Sequence, residues 1–127
     1  MDTFLGAVVQ APVVEESMKS LGLALLLLRG RRFIAGPIDG VVYAALIAGG
    51  FAFTENILYL ARGYSEMGGE AFATIFVLRG VMSPFCHPMF TAMTGIGLGV
   101  AIWRRWGRAG IVLGFLGGLA CAIALHA

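Results

Sequence analysis

Glu15, Glu16, Lys19, Glu55, His87 and His126 are side chains that can move a proton or hold a cation, and all lie in apolar stretches of the chain. Two histidines and a carboxylate around one open position make a catalytic zinc set. His87, His126 and Glu55 are therefore candidate ligands of a divalent metal, zinc first, which lowers the pKa of a bound water to about 7. Glu15 or Glu16 is then the candidate general base, with Lys19 as the charge that positions it. No HExxH pair or other adjacent ligand pair occurs, so folding must bring these ligands together. Without a metal the same residues supply a glutamate that activates water and histidines that hold an oxyanion.

The surroundings make these residues conspicuous. Of 127 residues, 59% are apolar and 13% charged, with a mean hydropathy of +0.89. That composition excludes a disordered chain and most soluble domains, and it makes lipid the solvent. A net charge of +2, scattered along the chain, leaves no nucleic-acid footprint. Cys86 and Cys121 lack CxxC spacing and imply neither a disulfide framework nor a zinc ribbon. The start of the chain carries Asp2 and no basic cluster, unlike a leader peptide, and no repeat or linker divides the sequence. Residues 1–127 read as a single transmembrane domain.

About 20 apolar residues at helical rise cross a bilayer core of roughly 30 Å. Four spans of an all-α, multi-pass bundle are expected: 11–28, 38–61, 84–103 and 109–127, with 70–82 as a short helix on the outer side. Ser83 and Pro84 form an expected N-cap and first-turn pair for the third span. Arg29, Arg31 and Arg32 follow the first span, and Arg104, Arg105 and Arg108 divide the third from the fourth. By the positive-inside rule both triplets are cytoplasmic, which strict alternation of four crossings satisfies. Counting from those ends, Glu15, Glu55, His87 and His126 stand roughly 20 to 27 Å up, in one outer slab.

Each charged group near the bilayer centre costs about 2.5–3.5 kcal/mol, and each Leu returns only about 0.3–0.6. The first span must therefore turn its charges to a polar interior. Glu15 and Lys19, at i and i+4, could simply neutralise one another, but that leaves Glu16 and Glu55 without a reason. Adjacent residues differ by about 100° on a helix, so only one of Glu15 and Glu16 is expected to point squarely inward. His87 could equally be an interfacial helix cap, and Thr91 and Thr94 could support the site or bond their own helix. Gly95 and Gly99, like Gly110, Gly114 and Gly118, have the spacing of close helix packing. Asp39 reads as a helix-dipole partner.

The motifs EESMK (Glu15 to Lys19), DGVVYAALIAGGFAFTENILYL (Asp39 to Leu60, with Phe51, Glu55 and Asn56) and CHPMFTAMTG (Cys86 to Gly95) resemble the PrsW family of intramembrane proteases, related to CAAX-processing endopeptidases. The resemblance covers nearly the whole chain, and His126 stands where the family's last marker begins. It implies an integral membrane protein of the bacterial plasma membrane that cuts a membrane-anchored protein, typically an anti-sigma factor, near the outer face. It also implies that this chain is the core of a longer membrane protein. Two other functions stay open: a non-catalytic membrane scaffold of the same fold, and a proton-coupled carrier. Against the carrier stands the lack of an internal half-repeat. The sequence leaves the oligomeric state open.

Overall fold

Helix α1 (Ala11–Arg29) buries Pro12, Glu16, Lys19, Ser20 and Leu23, a single face at helical spacing. Its exposed residues include Val13, Val14, Met18, Leu21, Leu25 and Leu28. A helix with polar groups inward and apolar groups outward is built for lipid. This computed structural model describes residues 3–127, apart from the side chains of Arg31 and Met67. Met1 and Asp2, where the expectation about a leader falls, lie outside the described residues.

The first helix starts earlier than expected. Residues Thr3–Leu5 and a π-helical turn over Gly6–Gln10 run directly into α1. Pro12 cannot donate its backbone nitrogen and crowds the carbonyl four residues back. The wider turn ahead of it, in which the Ala11 amide bonds the Gly6 carbonyl, accommodates this. After Gly30 and a short 3-10 turn at Arg31–Phe33, the Gly36 and Pro37 break starts α2 (Pro37–Ile75). Asp39 sits in its first turn and accepts the Ala35 amide at 2.9 Å.

Two boundaries differ from the expectation. The segment after residue 61 is helical as far as Gly68, where φ of 80° bends α2 sharply, a conformation that favours glycine. The short helix expected over 70–82 is present as the last part of α2 and a π-helical turn at Phe76–Met82. Ser83 is not an N-cap. Its hydroxyl donates back to the Arg79 carbonyl at 3.2 Å, and α3 (Cys86–Trp103) starts two residues past Pro84 without a side-chain cap. The cap is dispensable because the chain enters α3 from a turn, in which the Cys86 and Met89 amides already bond the Ser83 and Phe85 carbonyls. Helix α4 (Gly107–His126) follows a tight turn.

The protein is an all-α bundle, with no strand among the described residues. Pro37–Glu66, Gly68–Trp103 and Gly107–His126 are each long and apolar enough to cross a membrane. Helix α1, the remaining expected span, has the length but carries Glu15, Glu16 and Lys19. Glycines close the bundle at one end. A Cβ on Gly40 would run into the Gly95 backbone, one on Gly99 into Gly36 and Pro37, and one on Gly97 into Gly114. Leu23, Ile34, Ala44 and Leu98 fill the core beside these contacts. The tight α2–α3 and α3–α4 seams fix where the other ends of these helices stand.

Candidate active site

At the opposite end every expected site residue comes to one place. Glu16 is fully buried and takes three partners: Lys19 Nζ donates to its Oε1 at 2.8 Å, Thr91 Oγ1 to its Oε2 at 2.8 Å, and His126 Nδ1 lies 2.9 Å from Oε1. An ionised carboxylate only accepts, so Nδ1 of His126 carries a hydrogen toward Glu16. Nε2 of the same ring lies 3.6 Å from Glu15 Oε2. One ring thus bridges both glutamates, and, as expected, only one of them, Glu16, points squarely inward. Glu15 flanks the inward face from one side, within reach of Nε2, while Glu16 meets Nδ1.

Lys19 is also buried. Besides Glu16, its Nζ lies 2.9 Å from His87 Nδ1, 3.6 Å from Glu15 Oε2 and 5.0 Å from the centre of the Phe51 ring. His87, in the first turn of α3, therefore faces the bundle interior. The His87 and His126 rings meet edge to face with centroids 5.1 Å apart, and Phe90 stacks on His126. Glu55 stands beyond His87, with Oε2 3.7 Å from its Nε2. Glu15 is the carboxylate in reach of both rings, at 3.8 Å from His87 Nδ1.

Two carboxylate oxygens here, Glu15 Oε2 and Glu55 Oε2, are buried without a hydrogen-bond partner. Buried polar atoms are nearly always paired, so each of these is an acceptor awaiting a proton, a water or a cation. Glu15, His87 and His126 each offer a ligand atom, and all three atoms lie within 4.8 Å of one another. Glu15 Oε2, unpaired and at 3.8 and 3.6 Å from ring nitrogens of His87 and His126, suits a cation, and Glu16 on the far nitrogen of His126 is the carboxylate that orients such a ligand. The Nδ1 lone pair of His87 cannot serve Lys19 and a cation together, so holding a cation there displaces Nζ toward its carboxylates.

The sequence reading missed two contributors, Arg79 and Ser20, and gave Asn56 no role beyond its place in the motif. Arg79 sets Nη1 3.8 Å from Glu55 Oε2, itself buried and unpaired, while its guanidinium lies 3.4 Å over the Tyr59 ring. It stands in the apolar run IFVLRGVM, so the cost argument applied to Glu15 and Glu55 also flags it. Asn56 donates to the Arg79 carbonyl at 3.0 Å and ties this segment to α2. Ser20 donates to Thr94 at 3.2 Å and locks α1 to α3 one turn below the cluster. Thr91 and Thr94, for which both roles stood open, bond across helices. Cys86 and Cys121 are free thiols.

Comparison with known proteins adds two findings. The sequence profile of the PrsW family, described as intramembrane metalloprotease, matches residues 1–127. The chain is also 34% identical over 87 residues to protease PrsW of Clostridioides difficile strain 630, covering 68% of this chain and 34% of that relative. The chain thus spans about a third of the length of the curated relative it matches. No solved structure matches.

Proposed function

This chain belongs to the PrsW family, and from that premise we propose that it hydrolyses a peptide bond of a membrane-anchored protein, of which a single-pass anti-sigma factor is one example. The observation that carries this reading is Glu15 Oε2, a buried carboxylate oxygen with no hydrogen-bond partner, held between two histidine rings. A water at that point gives its proton to Glu15. Lys19 Nζ, beside the His87 ring, then stabilises the charge that develops on the attacked carbonyl oxygen, and Glu15 returns its proton to the amine as the C–N bond breaks. Glu16 does not act on water, because its oxygens are taken by Lys19, Thr91 and His126; it fixes the tautomer and orientation of His126.

Glu15, His87 and His126 would also hold a divalent cation, zinc by its ligand preference, which would supply Lewis acidity toward the carbonyl and the water. With Glu15 so engaged, Glu55 Oε2, the other unpaired carboxylate oxygen, would accept the proton, with Arg79 holding Glu55 in place.

The test is cleavage of a single-pass reporter by the full-length protein in proteoliposomes, with and without a chelator. Cleavage lost with chelator and restored by zinc assigns Glu15 to the cation and Glu55 to the proton. Chelator-resistant cleavage that Glu15→Gln abolishes assigns the proton to Glu15. Absence of any cleavage overturns the protease reading in favour of a scaffold. By the positive-inside rule the arginine triplets support a site in the outer half of the bacterial plasma membrane. A thiol-labelling experiment checks this: Arg108→Cys should react from the cytoplasm and Ser65→Cys from outside, and the reverse pattern inverts the site.

A further inference from the structure

A groove of about 490 Å³ runs between α1 and α2, walled by Met18, Gly50, Phe51 and Leu58 and reaching Lys19 and Glu55. Three features separate it from an ordinary dip in a lipid-facing surface. It is continuous with the reactive cluster, since Lys19 and Glu55 are among the residues that line it. It lies at a loosely closed seam, because α1 meets α2 along far less of its length than α2 meets α3 or α3 meets α4. Its open side carries an exposed glycine, Gly50, that the chain's own packing does not demand. A Cβ on Gly50 would meet nothing within 4 Å, whereas those on Gly40, Gly95, Gly97 and Gly99 would strike backbone. Thr54, on the same wall, turns its hydroxyl back to the Gly50 carbonyl at 3.1 Å, which keeps the wall apolar.

We propose that this groove seats the membrane-spanning segment of the protein substrate, which slides in sideways from the bilayer between α1 and α2 and lays a small residue over Gly50. The inference rests on the protease reading and adds the route and the side-chain preference. The occupant's chemistry follows from the walls. Apolar side chains and the absence of any charge short of Lys19 and Glu55 suit an uncharged segment drawn from lipid, and an open glycine lets a second backbone approach as closely as small-residue helix contacts do. Gly50 and Glu55 are five positions apart, so the residue seated on Gly50 lies roughly 7 Å from the level of the unpaired carboxylate. The bond to be cut stands about one turn outward of that small residue.

The open space at Gly50 makes the test clean, because a larger side chain fills the groove without disturbing the fold. Gly50→Leu should raise KM for a membrane-anchored reporter at least tenfold with kcat and the thermal midpoint nearly unchanged. Gly49→Leu, whose Cβ is equally unobstructed but which does not line the groove, should leave both constants alone. Equal KM for Gly50→Leu and the parent overturns the proposal. Independently of turnover, Met18→Cys and Leu58→Cys in a Glu15→Gln background should form disulfides with a cysteine scanned along the reporter's span. Val112→Cys on the lipid face of α4 should not, and equal crosslinking there overturns the groove. If the parent protein cleaves nothing while the crosslinks form as expected, the protease reading fails and the docking groove stands.

Discussion

At the end where α1 gives way to α2, Gly36, Gly40, Gly95 and Gly99 bring α2 and α3 into backbone contact. At the other end the same two helices are kept apart by Glu55 and His87, which face one another across 3.7 Å. The first contact needs only the absence of side chains, and the second is made of groups that lipid disfavours. The contrast shows how a small bundle can hold charged groups in a membrane. A rigid seam with no polar content sets the spacing, and the far ends of the same helices present carboxylates and imidazoles to one another at reach.

If that division holds, the two ends should break differently. The largest effect is expected from Glu15→Gln, which should lower cleavage by about 10²- to 10⁴-fold, the usual worth of a proton-transfer group, while leaving thermal unfolding in detergent where it was. Glu16→Leu should do the reverse in kind. It strands Lys19, Thr91 and His126 in a buried site, and losing one partner of a buried pair costs about 3–5 kcal/mol, read as a lower unfolding midpoint together with lost cleavage. Equal stability losses for Glu15→Gln and Glu16→Leu would erase the distinction drawn between the two glutamates.

The glycine end comes next. Gly40→Val forces a side chain into the Gly95 backbone and should cost about 1–3 kcal/mol. Its activity should fall only as far as folded protein is lost, and a normal midpoint with lost cleavage would make the seam part of the chemistry. A smaller change is expected from Arg79→Met, roughly tenfold in kcat/KM with little change in the midpoint, because the guanidinium holds Glu55 from 3.8 Å and is half-buried. Asp39→Asn should be near neutral, within about 0.5 kcal/mol and with cleavage intact, since an amide oxygen can still accept the Ala35 N–H at the glycine end.

Much of this arrangement is legible in the sequence, because charges in an apolar chain are too costly to be incidental and counting residues along helices gives their depth. Glu15, Glu55, His87 and His126 share a level for that reason. Which oxygen faces which nitrogen is not legible, since it depends on helix rotation, and rotation is set by the glycine seams between elements far apart in the chain. The separation of Glu16 from Glu15 therefore needed the structure. The boundary at Ser83 was misjudged because Ser-Pro is a good helix start only when the chain arrives from outside a helix, and here it arrives from the turn holding Arg79. Arg79 itself went uncounted because its segment was read as a surface helix.

The partners of Glu16 carry a consequence for how the protein is made. Thr91 is 75 residues and His126 is 110 residues further along the chain. At a synthesis rate of about 5–20 residues per second, α1 has to wait roughly 5 to 20 s after its own emergence before His126 exists to receive its carboxylate. During that interval Lys19 is the one local counter-charge available to both glutamates, at i−3 and i−4. The nascent helix should therefore linger at the insertion site or the membrane surface and settle into the bilayer only when α4 arrives. In chains halted before residue 126, Val14→Cys on α1 should still react with a membrane-impermeant thiol reagent, and full protection of that cysteine would refute this order of assembly.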